Sequence, residues 1–142
     1  MRNQIHFFTE GIKYQLKEKR RIVSWIEGIV NHEQKVGGEI NFILTTDSFL
    51  QKINIKYLNT NTFTDIISFP FSEEEEIVSG DIYISIDRVK DNAIKYKVTV
   101  DDELRRIFVH GVLHLIGYND ISTNEKRRMT AMENKYLKIY RD

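Results

Sequence analysis

Two stretches decide how this chain folds: Ile66-Ile67-Ser68-Phe69-Pro70-Phe71 and, beyond the acidic run Glu73–Glu76, Asp81-Ile82-Tyr83-Ile84-Ser85-Ile86. The first is a β-rich run ended by Pro70 and the glutamates. The second sets Ile82, Ile84 and Ile86 at every other position, the pattern of a strand with one apolar face. Asp87 then opens a helix toward Tyr96. Working back toward the N-terminus, Asn59–Asn61 is a polar turn, and Thr46 or Asp47 can cap a helix through about Tyr57 with Phe49, Leu50 and Ile53 facing inward. Ile40, Phe42 and Leu44 alternate in a strand at Glu39–Thr45, which Gly37-Gly38 separates from what precedes it. Lys13 to Val30 reads as a helix with Ile22, Ile26 and Ile29 at core spacing, and Ile5–Phe8 as a short strand. Toward the C-terminus, Thr99-x-x-Asp102 is a capping box leading into a helix from about Val100 to Ile116, with Gly117 as its left-handed cap. Ser122-x-x-Glu125 is a second box, starting a helix with Met129, Met132 and Tyr136 on one side. Strands and helices alternate around a small mixed sheet. The expectation is an α+β fold in a single domain over residues 1–142, with about four strands and about five helices.

The totals narrow the function. A chain of 142 residues buries roughly two-thirds of its unfolded surface, and 41% hydrophobic residues with one proline and seven glycines suit a packed globule, not a disordered segment. The absence of cysteine removes disulfides, thiolate metal sites and cysteine nucleophiles together. Twenty-one basic and twenty-one acidic residues cancel, so no global field draws the protein to nucleic acid or membrane, and any RNA contact must use a local patch. Lys13, Lys17, Lys19, Arg20 and Arg21 give the first helix a basic side, for RNA phosphates or simply for solvent. Met1-Arg2-Asn3-Gln4 lacks the apolar core of a signal peptide. The longest apolar stretch, Ile107 to Tyr118, is far below the ~20 residues of a membrane span. A soluble, cytoplasmic protein with no membrane partner is expected.

The chemistry gathers in His110-Gly111-Val112-Leu113-His114-Leu115-Ile116-Gly117-Tyr118-Asn119-Asp120. Residues four apart stack on one helix face, so both imidazoles can reach one ion. Gly117 lets the chain reverse, and Asp120 can return toward the same face as a third ligand. Two nitrogens and a carboxylate oxygen make a three-ligand zinc shell whose fourth position is open to water, brought near neutrality in pKa. The plainer alternative is a pair of satisfied core histidines. Gly111 would leave room above the ion for a bulky substrate, or else mark a close helix–helix contact. Glu103 and Arg106, two turns and one turn before His110, could hold a histidine's outer nitrogen or a substrate phosphate, or form surface ion pairs. The same spacing occurs in the long metzincin protease motif, but the glutamate that serves there as base is Gly111 here. His6 and His32 have no such spacing.

With these residues in hand, the chain resembles the YbeY family of bacterial endoribonucleases. His110 to Tyr118 looks like that family's zinc signature. Thr64-Asp65-Ile66-Ile67-Ser68-Phe69-Pro70 looks like its TDVLSFP strand, with Asn54 and Tyr57 at the family's spacing before it, and Gly80-Asp81-Ile82 like its GDI strand. The resemblance implies a metal-dependent endoribonuclease of single-strand type, one zinc ion per chain, and ribosomal RNA of the small subunit, with the ribosome, as partner. Two positions depart from the pattern. Asp120 stands where the family usually has a third histidine, which makes the metal less electrophilic and admits other divalent ions. Leu58 stands where an arginine commonly follows the tyrosine, and leucine cannot bond a phosphate as a guanidinium does; Arg106 could substitute for it. The residue that moves protons is open, a metal-bound water being the expected nucleophile. Two other readings stand beside this one: a ribosome-assembly factor with a structural metal and weak or lost catalysis, favoured by Leu58, and a metal-dependent hydrolase of a non-RNA substrate.

Overall fold

A computed structural model describes residues 4–58 and 64–142; the polar turn at Asn59–Asn61 and the leader reading at Met1–Asn3 lie outside the described residues. β1 (Ile5–Glu10), β2 (Val36–Thr45), β3 (Ile66–Pro70) and β4 (Ile77–Ser85) form one sheet in the order β1-β2-β4-β3. β1 and β4 both run parallel to β2, while β3 pairs antiparallel with β4. Five helices complete the chain: α1 (Lys19–His32), α2 (Asp47–Leu58), α3 (Ile86–Tyr96), α4 (Val100–Ile116) and α5 (Thr123–Arg141). This is the mixed four-stranded, five-helix α+β arrangement the alternation implies.

The period-two pattern of the strands sorts side chains between two cores. Ile40, Phe42 and Leu44 of β2, with Ile82 and Ile84 of β4, meet α1, α4 and α5 in the larger core, where Phe42 and Phe108 lie with ring centroids 4.7 Å apart. Ile67, Phe69 and Tyr83 point the opposite way and pack on Phe49, Leu50 and Ile53 of α2. Both capping boxes sit at helix starts, where the Thr99 and Ser122 hydroxyls accept from the Asp102 and Glu125 amides. For the helix after Ser122 the box is complete, with Glu125 reaching back to the Ser122 amide.

Three boundaries differ from the sequence reading. Helix α1 starts at Lys19, not Lys13, because Ile12, Tyr14 and Leu16 pack alternately against the core as an extended crossover, and Glu18 sits in the left-handed region at φ 60°. Lys13 and Lys17 therefore belong to this crossover and not to a basic helix face. Arg21 is committed to structure: it bonds Glu18 and the Tyr140 carbonyl and lies 4.1 Å over the Tyr140 ring. Gly37-Gly38 lies within β2, at a shift of register against β4; a Cβ on Gly38 would come within 3.0 Å of Ser79 Cβ. β4 likewise begins earlier, at Ile77. It passes through Gly80, where a Cβ would lie 2.4 Å from the Phe69 carbonyl oxygen.

Candidate metal centre

Helix α4 packs over β3 and β4, and its last two turns carry His110 and His114 toward an open face of the molecule. Gly117 ends the helix at φ 122°, a conformation that disfavours side chains, and the Gly117 and Tyr118 amides both bond the Leu113 carbonyl. Tyr118 then fixes the returning chain. Its hydroxyl donates to Glu33 at 2.6 Å, and Tyr136 donates to the other oxygen of the same carboxylate. These two hydrogen bonds outweigh burial and hold Glu33 below the ordinary carboxylate pKa. Asp120 follows two residues after this anchor.

The three chelating atoms meet at the end of that path. His110 Nε2 lies 3.0 Å from His114 Nε2, and Asp120 Oδ2 lies 3.3 Å from the first and 3.5 Å from the second. A tetrahedral ion with bonds of about 2.0–2.1 Å spaces its ligands about 3.3 Å apart, so the triangle suits a small divalent cation. The donor chemistry agrees, since three lone-pair atoms this close require a proton or a cation between them. With the side chains 20, 27 and 36% exposed, the triangle opens to solvent on one side.

His110 is oriented from behind by a residue the sequence reading missed. Its Nδ1 lies 2.6 Å from Glu133 Oε2, and the other oxygen of this buried carboxylate accepts from Arg106 Nη1 at 2.9 Å. Arg106 Nη2 in turn donates to Asn134 at 2.8 Å. Burial opposes the charged form of His110, but the Glu133 contact, with the Asp120 and Asp65 carboxylates, outweighs it and holds the imidazole above its usual pKa. The contact also directs the Nε2 lone pair outward. One signal was available in the sequence: Glu133 falls on the buried face of α5, among Met129, Tyr136, Leu137 and Tyr140, where an acid needs a partner.

The other residues singled out have different places. Arg106 reaches Glu133 and Asn134, not a histidine. Glu103 lies buried, and no described residue hydrogen-bonds its side chain; burial, abetted by the Asp65 and Glu133 charges and only partly offset by Arg106, raises its pKa to about 7. Gly111 makes no room above an ion: a Cβ there would sit 2.9 Å from Ile66 Cδ1 and Ile82 Cγ2. The glycine lets α4 approach the sheet, so the close contact is helix to strand. Leu58 lines a cavity of about 450 Å³ with His114, beside Thr64, Ser68 and Pro70. His6 is on the edge strand β1, and His32 Nδ1 lies 3.1 Å from the Tyr136 hydroxyl.

The sequence profile of the family described as Endoribonuclease YbeY matches residues 4–141. The chain belongs to the YbeY endoribonuclease family. An Endoribonuclease YbeY of Amoebophilus asiaticus is 41% identical over 133 residues, covering 94% of this chain and 90% of the relative. One of Cytophaga hutchinsonii is 44% identical over 135 residues, covering 95% and 94%. The fold is similar to the solution structure of TM1509 from Thermotoga maritima, with a TM-score of 0.67 and 26% identity, over 96% of this chain and 88% of that one. Membership in the YbeY family makes this chain a nuclease of the hydrolase class. Among the described residues no helix is long and apolar enough to cross a membrane.

Proposed function

We propose that this protein is a zinc-dependent endoribonuclease that cuts single-stranded RNA, with ribosomal RNA of the small subunit as substrate, the ribosome as partner and the cytoplasm as its compartment. The observation that carries the reading is the triangle of His110, His114 and Asp120, which would hold one zinc ion. When bound, the ion supplies Lewis acidity, drawing charge from a phosphoryl oxygen and acidifying water at neutral pH.

The chain's own residues do the rest. Glu133 fixes the His110 tautomer, and Arg106 with Asn134 fixes Glu133. The Tyr118–Glu33 hydrogen bond anchors the loop that presents Asp120. Cavities lie on both sides of the triangle, one reaching His114 and the other reaching His110 and Asp120, so a single strand can cross it. The Arg106 guanidinium is engaged at both terminal nitrogens, so it serves the site by holding Glu133 behind His110 and not by binding a phosphate.

The deciding experiment measures metal content of wild type, His114→Ala and Asp120→Ala, with cleavage of RNA on the same samples. Wild type should hold about one zinc, and both variants should lose metal and cleavage together. Zinc retained without Asp120 would break the ligand set. The second reading, an assembly factor with a structural metal, is favoured by Leu58 in the cavity beside His114; metal present without metal-dependent cleavage would select it.

A further inference from the structure

Glu103 occupies a position where a carboxyl group is hard to keep. It is 3% exposed, and its side chain receives no hydrogen bond from any described residue. Arg106 acts on it only through its charge, its hydrogen bonds going to Glu133 and Asn134. Glu103 lines a cavity of about 710 Å³ whose lining also includes His110 and Asp120. With no hydrogen bond from a described residue, the carboxylate lining that space is available to whatever enters it.

The shape of the space narrows the occupant. Tyr96, Val98 and Met129 give the cavity an apolar stretch of wall, and Glu103 lies among its polar residues, with Asp65 and Lys126 also on the lining. Flat faces against apolar or aromatic side chains, with a hydrogen-bonded edge, describe how an unstacked RNA base is held. Glu103 precedes His110 by two turns of α4, about 10 Å along the axis, a span comparable to that from a phosphate through its sugar to the far edge of a purine. Guanine alone among the four RNA bases presents two adjacent N–H donors, at N1 and N2, to match the two oxygens of one carboxylate. Adenine and cytosine pair a donor with an acceptor, and uracil sets one donor between two acceptors.

We propose that this cavity is a base-reading subsite that seats a guanine beside the phosphate to be cut, the Glu103 carboxylate accepting from its N1–H and N2 amino group. This rests on the endoribonuclease reading for the substrate, but not for the test of the subsite. The test measures binding of GMP, IMP and AMP to the protein as purified, at pH 8, above the range in which Glu103 titrates. All three carry the same phosphate, so differences come from the base. GMP should bind about tenfold tighter than AMP, and IMP, which lacks the N2 amino group, should fall between them. In Glu103→Gln the guanine preference should be lost, because an amide offers one donor and one acceptor, which the edges of adenine and guanine match equally well.

Equal binding of GMP and AMP, IMP as tight as GMP, or a guanine preference unmoved in Glu103→Gln would each overturn the subsite. The IMP comparison needs no variant, so it decides the matter even where Glu103→Gln fails to fold. A guanine preference that is lost in Glu103→Gln as expected, in a protein that cuts no RNA, would keep the subsite and remove the RNA-cutting reading.

Discussion

Exchanging Glu103 for glutamine removes a charge and almost no volume, and its effect on stability follows from the environment of the carboxyl. Burial, with the Asp65 and Glu133 charges behind it, raises the pKa from the ordinary 4.5 to about 7. Between those values the folded protein keeps a proton that the unfolded chain has released. Stability therefore falls as pH rises through that window, and below it the group contributes no pH dependence. At about 1.4 kcal/mol per pKa unit, the loss reaches about 3 kcal/mol by pH 8. Glutamine does not titrate, so the stability of Glu103→Gln relative to wild type should climb by that amount between pH 4.5 and 8. Any fixed cost of burying the amide shifts the whole difference without changing its slope. Urea unfolding of both proteins across this range, with EDTA throughout to remove metal binding, measures it. With m-values of about 1–3 kcal/mol/M, the midpoint separation should widen by about 1–3 M. A difference that stays flat with pH, or narrows as pH rises, would refute the assignment. A carboxyl that lowers stability at neutral pH is poorly explained by a purely structural role, which fits its place in the cavity beside His110.

Glu133→Gln should leave the fold intact and weaken the proposed zinc binding about 10- to 100-fold, because an amide holds the His110 Nδ1–H less strongly than a carboxylate; competition with a chelating dye reads this, and wild-type affinity would mean that the contact does nothing for a metal. Gly111→Ala gains about 1 kcal/mol of helix propensity. It also places a methyl 2.9 Å from Ile66 Cδ1 and Ile82 Cγ2, and overpacking of about 1–3 kcal/mol should win. A net loss of about 1 kcal/mol in urea unfolding is expected, and a more stable variant would show that α4 does not need the glycine to reach the sheet.

The sequence by itself determined whatever is written within a turn or two of the chain. His110 and His114 four apart, Gly117 as the cap and Asp120 three residues on are local geometry, as are the boxes at Thr99 and Ser122; the α4 boundaries, Val100–Ile116, follow from such signals. The alternation of Ile82 and Ile84 likewise settled which way β4 faces. Only the tertiary structure decided what stands behind those residues. Glu133 meets His110 across 23 positions and Glu33 meets Tyr118 across 85, and neither distance leaves a periodic trace, because each contact depends on how two helices are placed against each other. The same holds for Gly111, whose missing side chain is needed by strands far from it in sequence. Residues 13–18 read as helix from the sequence because their charges and apolar residues fit more than one period, and only packing against the core selects the extended one. Glu103 shows the limit most plainly: its type is visible in the sequence, but its burial, and the commitment of the Arg106 hydrogen bonds to Glu133 and Asn134 of α5, arise only when the helices pack.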